Sequence, residues 1–448
     1  MPITFSSVMG VFAPVFSPPV WPHVKVLITG AVLAPGKRPV TAVLQSMGLS
    51  AAADVQTSPR VLNRAVWSPL NASRLRRRLF GAVCIPGGVV LFGRADPIER
   101  RRGDQLNATG RYRDPVRSSP AYGVNVSGRR WLAWRVLPPI SWAHRVWALP
   151  VLTVLCPSAR DDAPRGRHHP PLTERAGQMI RLVGRWVPGR AIALVTDSSC
   201  AALALRDKVK AWPCARVSTR RRLDAALDAP PPPRQPETNG RPRLTGQRRP
   251  TRAAVWADAR PSWTTWRVEP WYGAGPREVE GTTDTAVWYH AGKPPGAIRW
   301  GLSRDPKQAF APPAWRSTPL EHTPAQMLPW CVRRWSMAVT CAAARAPLGM
   351  ETPRQWHDRA SARTTPARLS RSALITLTAH LRIAQAATCR RSTAWYRNIR
   401  PTCSDAMAVV RRDVWEPRHV AMSQQEADMI QLPRELFERF IDAVCYAA

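Results

Sequence analysis

The segment Thr173–Cys200, TERAGQMIRLVGRWVPGRAIALVTDSSC, decides how this chain is read. Its first half predicts an amphipathic helix over Thr173–Val187, with Leu182, Val183 and Trp186 on the apolar face. Pro188-Gly189 breaks that pattern, and Ala191–Asp197 follows as an apolar run ending on a carboxylate, which reads as a buried strand. Ser198 and Ser199 then stand where a helix cap is expected before Cys200–Val209. A helix, a buried strand and a second helix in succession imply an α/β architecture.

Strand patterns lie on the N-terminal side of this segment. Gly88–Phe92, Tyr122–Val126, Trp131–Leu137 and Arg145–Leu155 read as the opening meander of a mixed sheet. Residues 1–80 carry helix-like stretches at Pro39–Met47 and Pro59–Phe80. The second closes on Arg74, Arg76, Arg77 and Arg78, a basic end that either DNA contact or plain solvation would explain. On the C-terminal side, Pro230–Pro233 and the basic strip Asn239–Arg252 read as exposed loop. Tryptophans then recur in short strand-like pieces such as Trp263–Val268 and Ala286–His290, as in an inserted β-rich subdomain. A helical tail follows from about Thr323, broken near Pro401 and closed by an amphipathic helix over Pro433–Tyr446. The expected division is a helical region over 1–80, a first core part over 81–223, the insertion over 224–313 and the rest of the core with a helical tail over 314–448.

The 448 residues are 44% hydrophobic, enough for a sizeable core. Net charge is +36, and all but six of the 66 basic residues are arginine. Such an excess favours a polyanionic partner, DNA first among them. GC-rich coding would also enrich arginine, alanine, proline and tryptophan, so charge alone does not select the partner. Nine cysteines stand singly, without the close pairing of a zinc site. The N-terminus lacks a basic leader and is interrupted by prolines, and the longest apolar run, Val146–Cys156, is too short for a bilayer. A cytoplasmic protein with reduced thiols is expected.

The candidate chemistry belongs to the sheet. Two-metal phosphoryl transfer needs carboxylates from separate elements to converge on two cations about 4 Å apart, and Asp197 at a strand end is placed to supply one. The same residue would serve equally as a helix cap. Ser198 and Ser199 have no glycine-flanked nucleophile elbow, no glycine loop cradles phosphate, and His168-His169 sits in a polar loop.

The motifs ERRRG (Glu99–Gly103), YRDPVRSS (Tyr112–Ser119), the strand ending in Asp197-Ser198-Ser199, GRPRLTG (Gly240–Gly246), TAVWYH (Thr285–His290), AIRW (Ala297–Trp300) and TPAQMLPWCVRRW (Thr323–Trp335) together resemble an insertion-sequence transposase of the DDE superfamily, over nearly the whole chain. The resemblance implies a ribonuclease-H-like mixed sheet flanked by helices, with a β-rich insertion between the second and third acidic residues. It also implies a Mg²⁺ pair, transposon ends and target DNA as substrates, and a homodimer in synapsis. Carried over by position, the second catalytic aspartate is Asp197 and the first falls on Ala95, beside Asp96. The third signature has an arginine, a glutamate four residues on and a basic residue seven further. Here Arg334 and Arg345 keep that spacing and Ala338 stands where the glutamate belongs. Two of three ligands are thus replaced, which implies a weak or inactive enzyme. Arg333, Arg334, Arg345, Arg241 and Arg243 remain as expected DNA contacts. Glu99, Asp104, Asp114 and Glu351 read as surface carboxylates, and Trp330 and Trp335 as core aromatics.

Overall fold

The computed structural model describes the chain except residues 1–2, 52–55, 86, 102, 104–105, 115, 120, 167, 197–214, 222, 235–240, 259–261, 270, 273–274, 291–293, 307–313, 346–347, 351–356, 385–394, 396–399, 423–432 and 448. Asp197, Asp104 and Glu351 lie outside the described residues.

Among the described residues five α-helices open the chain: α1 (Ile3–Gly10), α2 (Trp21–Leu33), α3 (Val40–Gln45), α4 (Thr57–Asn63) and α5 (Pro69–Val83). The helical stretch expected over Pro59–Phe80 is two helices, because Ser68 caps α5 by accepting from the Asn71 N–H at 3.3 Å and Pro69 takes its first position.

The sheet begins with β1 (Val90–Ala95), β2 (Ile98–Arg100), β3 (Thr109–Arg113) and β4 (Asn125–Val136). After a small ribbon of β5 (Pro139–Ile140) and β6 (Arg145–Val146), it resumes at β7 (Leu149–Cys156). The short α6 (Ala159–Asp162) and the longer α7 (Leu172–Arg185) lead to β8 (Ile192–Thr196) and β9 (Ala215–Arg221). The expected strands at 122–126 and 131–137 are one strand, β4. Its centre, Gly128-Arg129-Arg130, hides the apolar alternation, yet Arg129 donates to the Asn107 carbonyl at 2.9 Å and Arg130 pairs with Asp96.

β4 runs antiparallel between β1 and β7, whereas β8 lies parallel to both β1 and β9. The spatial order β7-β4-β1-β8-β9, with an antiparallel opening and α7 crossing over to the parallel strand β8, is the ribonuclease-H-like arrangement. Ala176, Met179, Ile180 and Val183 recur at helical spacing along α7 and join Val151, Leu152, Phe92 and Leu194 in the main core.

The next elements extend this sheet. After α8 (Arg252–Ala257), the strands β10 (Thr264–Val268), β11 (Arg277–Trp288), β12 (Gly296–Arg304) and β13 (Ala314–Ser317) pair antiparallel in order, and β13 joins the free edge of β9. Among the described residues the sheet has eleven strands.

Five helices close the described chain: α9 (Pro324–Arg333), α10 (Ser336–Arg345), α11 (Asp358–Ala384), α12 (Cys403–Met422) and α13 (Arg434–Tyr446). Phe5, Met9, Val32 and Leu33 of the N-terminal helices share one core with Leu369, Ile375, Met407 and Val410 of α11 and α12. The two ends of the chain therefore form one helical layer. No helix among the described residues is long and apolar enough to cross a membrane.

Candidate functional site

The site's wall is the face of β1 and β8 that looks toward α9 and α10. Side chains alternate along a strand, so Leu91, Gly93 and Ala95 face one way and Phe92 and Arg94 the other. Leu91, Ala193, Val195, Leu137 and Met337 form a small buried cluster, against which Ala95 and Trp330 pack. Met337 lies so close to β1 that a methyl group added at Gly93 would fall 2.0 Å from its sulfur. Helix α10 is thus pressed onto the strand that carries Ala95, and Ala338, the residue after Met337, is exposed. The alanines at the expected first and third acidic positions therefore sit on adjoining elements.

A cation occupies the same wall. Arg135 of β4 stands opposite Gly93 in the register and is fully buried. It donates to the Met337 carbonyl at 3.0 Å and to the Cys341 sulfur at 3.1 Å. Among the described residues its Nε has no partner. An uncompensated guanidinium costs free energy to bury and disfavours a second cation nearby. Sequence reading missed Arg135. Its signal was there, an arginine between Trp134 and Val136 in an otherwise apolar strand.

The carboxylates near this wall have other work. Asp96, one residue past β1, pairs with Arg130 at 2.5 Å and Arg94 at 3.6 Å. Glu99 and Asp114 are not surface groups. Glu99 is fully buried and accepts from Arg101, from the Trp131 indole at 2.9 Å and from the Thr365 hydroxyl at 2.9 Å. Asp114 is 1% exposed, bound by Arg100 at 2.7 Å and by the Val116 N–H. Burial alone would raise the Asp114 pKa, but the Val116 N–H and the Arg100 charge outweigh it and hold this carboxyl below its ordinary value.

Among the described residues no three His, Cys, Asp or Glu side chains come together as a metal site. DDE-superfamily endonucleases take divalent metal ions. The described residues of this wall, two alanines and a buried arginine, do not fit a pair of them.

The remaining expected residues separate into two groups. Arg333 ends α9 half-buried, its guanidinium lowered by burial, and Arg334 follows it, partly exposed. Arg345 ends α10. Arg241 and Arg243 are exposed, well away in sequence on the strip before α8. That strip is not wholly free. Arg249 pairs with Asp284, and Arg252 is 1% exposed and stacks over Trp300 at 3.8 Å. Trp330 packs in the core as expected, edge-on to His322 at 5.2 Å. Trp335 does not; it is 48% exposed and meets the ring of Tyr272 at 6.3 Å. His169 bonds Asp162 at 2.8 Å.

The strand order and directions define an α/β fold of ribonuclease-H type. A family model described as DDE superfamily endonuclease matches residues 20–276, more than half of the chain, and the chain belongs to that family. No curated protein matches. Among solved structures, a cryo-EM structure of a piggyBac transposase synaptic complex with hairpin DNA is 8% identical, with 95% of this chain and 76% of that chain covered at a TM-score of 0.41. A likeness at that score adds no weight to the fold, which rests on strand order and direction.

Proposed function

We propose that the chain is an insertion-sequence transposase that still engages transposon ends and target DNA as a homodimer in the bacterial cytoplasm, and that has lost most or all of its strand-cleavage chemistry. The observation that carries this reading is that Ala95 of β1 packs in the cluster that holds Met337 of α10, the residue next to Ala338. Both expected carboxylates are methyl groups, and the buried Arg135 bonds the Met337 carbonyl of α10. In this reading Asp197 is the one acidic residue kept, Mg²⁺ is held weakly, and Arg333, Arg334 and Arg345 grip terminal phosphates while Arg241 and Arg243 follow the backbone. Losing an outer partner of a ligand typically costs about 10–100-fold in metal affinity, and losing ligands themselves costs more. The same alanines favour a second reading, a non-catalytic binder that occupies transposon ends and poisons multimers of an intact relative.

The test is cleavage of a supercoiled plasmid carrying the element's ends, in Mg²⁺ and in Mn²⁺, by the natural chain and by Ala95→Asp/Ala338→Glu. Cleavage only by the double variant is the expected result. Cleavage by the natural chain would overturn the assignment of both positions. End binding without cleavage by either protein would favour the second reading.

A further inference from the structure

Between the N-terminal helices and α11 lies a cavity of about 720 Å³, none of whose lining residues belongs to β1 or α10. That volume suits a small-molecule site, typically about 300–1,000 Å³. Its walls are largely apolar, with Phe16 against Trp67 at 5.3 Å between ring centres, and Leu27, Ile28 and Leu374 nearby. Buried among these groups are guanidiniums. Arg38, Arg76 and Arg371 line the cavity and are 2–4% exposed.

Their partners are neutral. Arg371 donates to the carbonyls of Ala31 and Leu348 at 2.7 Å each. Arg76 bonds Ser73, Ser370 and the Val151 carbonyl. Among the described residues Arg38 has the Gly36 carbonyl alone, at 3.1 Å, and its Nε and Nη2 are unpartnered. No carboxylate among the described residues pairs with any of the three. Burial lowers the Arg38 and Arg371 guanidiniums, and Arg411 depresses both further. Arg38 and Arg368 add to the effect on Arg371. Buried charges ordinarily carry a counter-ion. Exposed Lys37 and Thr41 also line the cavity and mark a route to solvent.

We propose that this cavity binds a single-chain anionic amphiphile of fatty-acid type, its carboxylate seated on Arg38 and Arg371 and its alkyl chain along the wall of Phe16, Ile28 and Trp67. An apolar chamber alone would take any hydrocarbon, and an arginine cluster alone would take any anion. Both features on one cavity select a molecule with one charged end. Such a ligand would bridge α2, α3 and α11 and so tie together the two ends of the chain.

The test uses the full chain with dansyl-labelled undecanoate as a fluorescent probe. Saturable one-to-one uptake is expected, with displacement by laurate and displacement by 1-dodecanol about ten-fold weaker or worse, the effect of one charge-assisted hydrogen bond. Arg38→Met should lose that preference for the acid. Ala72→Phe, which fills the cavity from α5, should abolish uptake, and this variant keeps the test decisive if Arg38→Met does not fold. No uptake, equal displacement by laurate and dodecanol, or displacement by inorganic phosphate or duplex DNA would each overturn the proposal.

Discussion

Glu99 is a buried carboxylate given wholly to structure. Its oxygens are saturated by Arg101, the Trp131 indole and the Thr365 hydroxyl, so it ties β2 to β4 and α11. Glu99→Gln keeps the shape but leaves Arg101 without its charge. Removing one partner of a buried pair costs about 3–5 kcal/mol, so chemical denaturation should show a loss of that order. A near-neutral result would mean that the pair contributes nothing to the fold. Asp114 gives a pH signature. Because its folded pKa is depressed, its contribution is present above the unfolded value of about 3.9 and is lost as pH falls through the folded pKa. Asp114→Asn should therefore melt lower than the natural chain at pH 7, with the gap narrowing toward pH 3. A constant gap across that range would exclude the charge as its source.

Elements explain what could be read in advance and what could not. Val90–Ala95, Leu172–Arg185 and Ile192–Thr196 lay within a residue or a few of their expected bounds, because each presents an unbroken apolar run or stripe. β4 was read as two pieces, since four residues without apolar side chains, Ser127–Arg130, interrupt it and the partners of Arg129 and Arg130 lie far off in sequence. α1 and α2 were missed because prolines and glycines obscure their period and their stability comes from α11 and α12, far away in sequence. At the site, Ala95 and Ala338 were legible only through resemblance, since an alanine carries no chemistry of its own. Arg135 was not legible, because its role depends on α10 packing across β1. In β11 and β12, two glycines make room for tryptophans. A methyl group added at Gly281 would fall 1.8 Å from the Trp266 ring, and one at Gly301 would fall 1.9 Å from the Trp315 ring. Trp315 is 1% exposed and cannot swing into solvent without opening the core it shares with Met327 and Leu328. Gly301→Val should thus destabilise by about 1–3 kcal/mol through overpacking, read as a lower denaturant midpoint. An unchanged midpoint would mean that the Trp315 ring relaxes freely.

At the scale of the whole molecule, the charge of +36 overstates what is available to DNA. Many arginines work inside the fold as clamps on carbonyl groups. Arg411 gathers the carbonyls of Val32, Cys445 and Ala447, and Arg363 those of Leu62, Ala65 and Trp67, which joins the first helices to the last. Arg38, Arg76, Arg129, Arg135, Arg252 and Arg371 are likewise buried. The dependence of DNA affinity on salt should therefore report only the exposed arginines. Each phosphate contact contributes about −0.9 to the slope of log affinity against log salt, so Arg241→Ala/Arg243→Ala should flatten that slope by about 2 if both touch phosphate. The loss should be the same on transposon ends and on random duplex, because contacts to the backbone carry no sequence information. Arg135→Leu is the contrasting variant. Its guanidinium is sealed beneath α10, so it should leave the slope unchanged. In the Ala95→Asp/Ala338→Glu background it should raise Mn²⁺-dependent cleavage, because the restored carboxylates would otherwise be neutralised by this buried cation. A flattened slope for Arg135→Leu would place that side chain on DNA, and equal cleavage with and without Arg135 would remove it as an obstacle to metal.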